Sequence, residues 1–145
     1  MSADEGGIEM KPDPEYTRKL LTAFEEAPEP TTDLEELQER GIDCESKEFR
    51  FHMQLLEDDG FVRREDGEWG LGLDRSADGL YTWNVLPLRL TASGHEFAQA
   101  MENSHGFQAV KRAAQKSLLP ASLSLMRDVA VGALRAELAK HGFLP

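Results

Sequence analysis

Histidine and cysteine are the residue types through which this chain could carry out chemistry. His52 and His95 could form a metal site with Cys44, or act as a general acid and base. The sequence lacks the C-x-x-C and H-E-x-x-H spacings that are typical of metal sites. His52 also falls on the apolar face of a helical segment, where a hydrogen-bonded core histidine is the commoner role. We therefore expect no metal, no cofactor and no catalytic residue.

Cys44 is the sole cysteine, and a nucleophilic thiol would need a lowered pKa. It precedes a helical segment, but Asp43 and Glu45 flank it with negative charge, which raises the pKa of the thiol. We therefore expect no nucleophilic role. A single cysteine cannot form an internal disulfide, and the chain has no apolar run of about twenty residues. Both features predict a reduced, cytoplasmic protein that does not enter a membrane.

Glycines and clustered carboxylates are interpreted as structural. Four glycines between residues 67 and 79 lie among strand-like segments, whereas a phosphate-binding loop joins a strand to a helix. The carboxylates of Glu35-Glu36 and Glu57-Asp58-Asp59 lie towards helix ends without the spacing of a calcium loop. We expect them to be solvated surface.

Periodicity predicts three helices in the first 60 residues. Asp13-Pro14 is a typical helix start, because aspartate caps the free N–H groups and proline fits the first helical position. Residues 32–35 have the pattern of a capping box, with Thr32 as the cap of a short second helix. A third helix is predicted over about residues 45–59, ended by Gly60.

The helical period is lost between residues 61 and 90. Short strands are predicted at 61–64 and 69–73, followed by a longer strand at 80–90. The alternation slips between Val85 and Leu86, which predicts a bulge or a bend. Residues 91–145 are predicted to be helical again.

This order of elements is typical of a winged helix. We predict an α+β fold with three N-terminal helices, a two- or three-stranded β wing and a C-terminal helical extension. Residues 1–12 are expected to be a flexible tail, and residues 13–145 a single domain. Within it, 13–60 is the helix-turn-helix part, 61–90 the wing and 91–145 the C-terminal helices.

The last predicted helix has an apolar face too wide for a solvated helix, so that face is either covered by the fold or shared with a second copy. We predict a dimer through this helix. The residues assigned to the dimer face are Leu125, Val129, Leu134 and Leu138.

Three stretches of the chain match residue patterns that are more detailed than the periodicity of a helix or strand. Residues 10–21 lead into an IRKIL-like helix, residues 51–62 follow an aromatic-His-x-x-Leu-Leu-x-x-x-Gly pattern, and residues 90–97 read Leu-Thr-x-x-Gly-His-Glu-Phe. Over about residues 10–140 the chain resembles the bacterial and prophage family called domain of unknown function 2513. The resemblance implies a winged-helix-like fold and no established activity.

The residues that carry this resemblance are expected to be structural. In particular, the ring of His95 is expected to bond to backbone and to fix the corner between the wing and the following helix. The full set is His52, Leu55, Leu56, Gly60, Leu90, Thr91, Gly94, His95 and Phe97.

The distribution of charge opposes DNA binding, which is a common role of winged-helix proteins. Residues 1–60 carry 18 acidic and 6 basic side chains, whereas residues 61–145 carry 9 and 10. DNA binding takes on the order of six to ten cationic phosphate contacts, and an acidic helix-turn-helix opposes them. The candidate DNA contacts are Lys47, Arg50 and Gln54 on the outer face of the third helix, and Arg63, Arg64 and Arg75 in the wing.

Three functions are consistent with this sequence. The first is a non-enzymatic interaction or regulatory protein of phage or mobile-element type that binds a protein partner, and we rank it slightly above the others. The second is a transcriptional regulator that binds DNA through the third helix and the wing. The third is an acidic DNA mimic that inhibits a nucleic-acid-binding protein through Glu35, Glu36, Glu57 and Asp58.

Overall fold

The structure is a computed structural model that describes residues 11–116 and 122–144. In these ranges the chain is a mixed α+β protein, and the sequence prediction of that class is confirmed. Most of the predicted tail, residues 1–12, lies outside them. The elements are α1 (Pro14–Glu25), α2 (Leu34–Glu39), α3 (Lys47–Asp58), β1 (Val62–Arg64), β2 (Leu73–Arg75), β3 (Tyr81–Trp83), β4 (Leu88–Leu90), α4 (Ala92–Glu102), α5 (Ser104–Gln115) and α6 (Leu123–Lys140).

The first helix begins where its sequence predicts, and the second begins one residue later. Asp13 caps α1 by accepting hydrogen bonds from the N–H groups of Glu15 and Tyr16. The predicted cap of α2 at Thr32 is wrong, because Asp33 accepts the bond from the Glu36 N–H. Thr32 instead forms an isolated antiparallel bridge to Leu88, with N–H to carbonyl distances of 2.8 and 2.7 Å.

The four strands form two antiparallel pairs. In the sequence, the β2–β3 pair lies between β1 and β4. β1 pairs with β4, with Val62 opposite Leu90, and β2 pairs with β3, with Leu73 opposite Trp83. The predicted strand over 80–90 is therefore two strands that belong to different pairs. The slip in its alternation marks the segment where the chain leaves β3 and enters β4.

The strand predicted at 69–73 is also wrong, because β2 begins only at Leu73. Gly72 adopts a left-handed φ of 96°, which an extended strand does not allow. A Cβ at this position would lie 2.6 Å from the carbonyl oxygen of Asn84, so the close approach of the two chain segments needs glycine.

One cluster of buried apolar side chains connects all six described helices with β1 and β4. Phe49 of α3, Phe97 of α4 and Leu123 of α6 are fully buried. Burial of a side chain of this size contributes about 1.5–3 kcal/mol, so this cluster is the main source of stability. No helix among the described residues is long and apolar enough to cross a membrane.

Candidate functional site

The Leu-Thr-x-x-Gly stretch before α4 is a structural joint. Thr91 caps α4 by accepting the N–H of Gly94 at 3.1 Å, and its hydroxyl donates to the carbonyl of Gly60. The N–H of Thr91 donates to the Phe61 carbonyl at 2.9 Å. A Cβ on Gly94 would lie 2.1 Å from that same carbonyl oxygen. These residues therefore hold α4 against the turn between α3 and β1.

The next residues of the same stretch connect α4 to other helices. The Nδ1 of His95 lies 3.3 Å from Oε1 of Glu25, so the predicted bond from this ring to backbone is wrong. The reason is that the first turn of α4 faces the end of α1, where a carboxylate is within reach. Glu96 pairs with Arg127 of α6, and Phe97 is fully buried.

His52 is a core histidine with both ring nitrogens occupied, as its position on the apolar face predicts. Nδ1 lies 2.7 Å from the Glu48 carbonyl oxygen, and Nε2 accepts the N–H of Asp13 at 3.0 Å. This pair of contacts needs a neutral ring that is protonated on Nδ1. Burial lowers the pKa of His52 below 6.5, which maintains that state.

The other residues of the 51–62 stretch are structural as well. Leu56 is fully buried, and Leu55 is partly buried against the core. Gly60 has a left-handed φ of 74° and ends the turn that follows α3. Leu90, before the α4 joint, is buried opposite Val62. The residues that carry the family resemblance thus contribute to packing and to the turns of the fold.

Cys44 is buried, and its Sγ lies 3.6 Å from the carbonyl oxygen of Leu34. The pKa of its thiol is raised to about 11, chiefly by burial and further by Asp43 and Glu45. The predicted direction of this shift is confirmed, but its main cause is burial, which the sequence did not show. Within 11–116 and 122–144, no group of three or more His, Cys, Asp or Glu side chains could hold a metal ion.

A groove of about 520 Å³ lies between the α2–α3 region and the β2–β3 hairpin. Leu34 and Glu35 of α2, with Glu45 before α3, contribute to one wall. The opposite wall includes three apolar side chains that are largely exposed: Leu80 at 66%, Val85 at 48% and Tyr81 at 44%. The groove therefore has an acidic helical side and an apolar hairpin side; we call it the hairpin groove.

Two aromatic contacts attach the hairpin to α3. The ring of Trp83 meets Phe49 edge-on, with centroids 5.3 Å apart. The guanidinium of Arg50 lies 4.3 Å from the centroid of the Tyr81 ring, which is cation–π geometry. These contacts fix the apolar wall of the hairpin groove relative to the acidic wall.

The predicted DNA-reading face of α3 is partly covered by this hairpin. Lys47 and Gln54 are exposed, but Arg50 is stacked on Tyr81. Near the end of α3, Oε2 of Glu57 accepts the N–H of Gly70 at 2.7 Å. The three residues predicted to read bases therefore do not present one open face.

The predicted wing contacts are distributed over two strand pairs. Arg63 and Arg64 lie in β1, where Arg63 is exposed and Arg64 pairs with Asp66 at 2.6 Å. The backbone of Arg75 lies in β2, and its side chain is outside the described part of the structure. Of the three predicted wing contacts, Arg63 is therefore the one whose side chain the structure describes as exposed.

The carboxylates assigned to a DNA mimic differ in their contacts. Glu36 accepts the hydroxyl of Thr32 at 2.8 Å, and Glu57 is bonded to Gly70 as described above. Glu35 and Asp58 are exposed. Two of these four carboxylates therefore have roles within the fold.

The residues assigned to a dimer face also differ in exposure. Leu125 is 44% exposed, whereas Val129 and Leu134 pack against the core of the same chain, and Leu138 is half-buried. Two of the four are thus used within the fold, which leaves Leu125 as the most exposed of the set.

The hairpin groove is the feature that sequence reasoning missed. The sequence predicts that Leu80, Tyr81 and Val85 lie in one long strand over 80–90, where apolar side chains are ordinary. Their position in a segment bounded by turn residues and by Pro87 is the one sequence feature that indicates exposure. The helical wall opposite them is contributed by residues more than thirty positions earlier in the chain.

The comparisons with known proteins agree with the resemblance in the sequence. A family model described as "Hypothetical protein (DUF2513)" matches residues 11–119. No curated protein and no solved structure matches the chain. The matched range includes the His52 segment, the α4 joint and both walls of the hairpin groove, and it spans well over half of the 145 residues. The chain therefore belongs to the DUF2513 family.

Proposed function

We propose that this protein is a non-enzymatic interaction module that binds a segment of a partner protein in the hairpin groove. The observation that carries the proposal is the exposed apolar wall formed by Leu80, Tyr81 and Val85 beside a cavity of about 520 Å³. Exposed apolar side chains that line a concave surface are typical of interaction sites. The proposal includes a regulatory role in a phage or mobile-element setting, as the sequence resemblance implies.

The chemistry of the groove supports binding over catalysis. Cys44 lines it, but a thiol with a pKa of about 11 is protonated at neutral pH and is a poor nucleophile. The guanidinium of Arg50 is stacked on Tyr81, which engages it in a contact within the fold.

The scaffold that we propose for this module is a winged helix. The Thr32–Leu88 bridge adds a third, one-residue strand beside β4, and β1 and β4 would form the base of the wing. In this arrangement α2 and α3 form the helix-turn-helix, and the β2–β3 hairpin is the tip of the wing. The same arrangement favours DNA-binding regulation as a second candidate function.

The balance of contacts favours the protein partner. Tyr81 of the hairpin stacks on Arg50, the central member of the predicted base-reading set. Glu35, Glu45 and Glu48 also place negative charge near that face. These carboxylates would repel phosphate groups that approach Lys47.

Two parallel selections on the purified protein test the proposal. A random peptide library and a random duplex DNA library are selected against the same protein, and the enriched ligands are measured by fluorescence anisotropy. We expect peptides to be enriched, and we expect Leu80→Ser or Val85→Ser to weaken their binding about tenfold. The matched control is Phe143→Ser, which removes an exposed apolar side chain after α6, away from the groove.

Two outcomes would overturn the proposal. The first is enrichment of peptides that bind equally well to all three variants, which would place the interaction outside the hairpin groove. The second is enrichment of duplex DNA alone, with binding that falls steeply with salt and is weakened by Arg50→Ala. That second outcome would establish the DNA-binding candidate instead.

A further inference from the structure

We infer that the segment bound in the hairpin groove is amphipathic, with lysine or arginine on one side and apolar residues on the other. This inference rests on the proposed function, because it specifies the chemistry of a partner for the same groove. It follows from the unequal character of the two walls.

The helical wall is acidic. Glu35 and Glu45 line the groove directly, and both are exposed. Residues 33–48, which include α2 and the turn before α3, carry seven acidic and two basic side chains. One of those basic residues, Arg40, donates to Thr32 and lies 3.5 Å from Glu36, so its charge is already paired. A cationic partner is attracted within a screening length of about 8 Å, and a polyanion is repelled.

The hairpin wall is apolar and supplies the contact area. Leu80 is 66% exposed and Val85 is 48% exposed, and Tyr81 adds an aromatic ring. The basic residue of the groove, Arg50, is held on that ring with its guanidinium 4.3 Å from the centroid. Arg50 therefore has a π partner, whereas Glu35 and Glu45 have no ion pair among the described residues.

The size of the cavity limits how much of a partner enters it. Sites that hold a small ligand or a few side chains measure about 300–1,000 Å³, and the hairpin groove falls in that range. A short segment can place apolar side chains against Leu80 and Val85 while its cations reach Glu35 and Glu45. A folded domain would contact only the rim.

Three synthetic peptides of equal length test the inference. The first combines basic and apolar residues, the second replaces every basic residue with glutamate, and the third replaces every apolar residue with serine. Binding to the full chain is measured by fluorescence anisotropy at low and at physiological salt. We expect only the basic and apolar peptide to bind, and more weakly at the higher salt.

Matched variants test separately how much each wall contributes to binding. Glu35→Gln combined with Glu45→Gln is expected to weaken binding about threefold to tenfold, since two exposed ion pairs are lost. Leu80→Ser is expected to weaken it about tenfold. The control for the charge effect is Glu65→Gln combined with Glu102→Gln, which changes net charge equally at exposed positions outside the groove lining. We expect that control to bind like the unchanged protein.

The outcomes distinguish this inference from the proposed function. Equal or tighter binding of the glutamate peptide, still weakened by Leu80→Ser, overturns the inference and leaves the groove as a protein-binding site. Equal weakening by the groove variant and the charge control also overturns it, because attraction would then come from net charge alone. If none of the three peptides binds, the basic and apolar assignment is wrong, while the random library still tests the proposed function.

Discussion

At the scale of single residues, His52 shows how one side chain joins two helices. Its Nδ1 donates to the Glu48 carbonyl within α3, and its Nε2 accepts the N–H of Asp13 at the start of α1. The ring also lies against Tyr16, with centroids 4.7 Å apart. Protonation of Nε2 would place two donors opposite each other, so the folded protein needs the neutral ring.

This requirement predicts that acid destabilises the protein through His52. Because its pKa lies below 6.5 when folded, the unfolded chain binds this proton more readily. The contribution of His52 to the free energy of unfolding is complete above about pH 6.5. It is lost as the pH falls towards the pKa of His52 in the folded state, by at most about 1.4 kcal/mol per pH unit. Urea unfolding at about pH 7.5 and about pH 5.5 measures this dependence.

Two variants isolate the effect. His52→Gln is expected to flatten the dependence on pH. His105→Gln, which removes an exposed ring 3.4 Å from Glu137, is expected to leave the loss of stability at acid pH in place or to increase it. An unchanged slope in His52→Gln would show that another group is responsible.

Gly94 gives a second prediction at this scale. A Cβ at this position would lie 2.1 Å from the carbonyl oxygen of Phe61, and that backbone is fixed by its bond to Thr91. Gly94→Ala is therefore expected to lower the free energy of unfolding by about 1–3 kcal/mol, measured in urea. Gly132→Ala is the control, because nothing lies within 4 Å of its added Cβ and alanine favours a helix. Similar stability of the two variants would contradict the close approach at Gly94.

At the scale of elements, the β2–β3 hairpin depends on α3 for its position. Only three residues of each strand pair with the other, and an isolated two-stranded hairpin is marginally stable in water. Three additional contacts hold it. The ring of Trp83 packs on Phe49, and the ring of Tyr81 stacks on the guanidinium of Arg50. The N–H of Gly70, before β2, donates to Glu57. The position of the hairpin in turn forms the apolar wall of the groove.

The two tryptophans test this dependence. Trp83→Ala is expected to release the hairpin from α3, which should increase hydrogen exchange and proteolytic cleavage between residues 66 and 85 and abolish peptide binding in the groove. Trp69→Ala removes an indole that is 80% exposed and is expected to change neither. Equal protection of the hairpin in both variants would contradict the role of the Trp83–Phe49 contact.

At the scale of the whole molecule, charge and apolar surface are unevenly distributed. The chain has a net charge of −11, and the acidic excess belongs to its first 60 residues. Leu80, Tyr81 and Val85 are exposed apolar side chains of the hairpin wall, and three more are exposed elsewhere: Trp69, Leu125 and Phe143. The molecule therefore presents the apolar wall of the hairpin groove beside the acidic α2–α3 region, which is the basis for a cationic and apolar partner.

The dimer expected from the sequence remains a prediction at this scale. Val129 and Leu134 pack within the chain, so a dimer through α6 would depend chiefly on Leu125. Light scattering is expected to give twice the chain mass for the unchanged protein and the single chain mass for Leu125→Arg. A monomer at micromolar concentration in the unchanged protein would contradict the prediction.

Local features were predictable from the sequence because their causes are local. Asp13-Pro14 begins α1 and apolar spacing defines α3, each through contacts within a few residues. The buried state of His52 follows from the same spacing. The family resemblance also marked the α4 joint correctly, although the partner of His95 is a carboxylate of α1 rather than backbone.

The pairing of the strands and the groove were decided only by tertiary structure. The bridge from Thr32 to Leu88 and the stacking of Arg50 on Tyr81 join residues that are far apart in the chain. No local pattern specifies such pairs, because periodicity shows which face of an element is apolar and not which element covers it. The sequence by itself determined the helices, the neutral core histidine and the acidic first half. Packing of the hairpin on α3 decided that Leu80 and Val85 face a groove with an acidic wall.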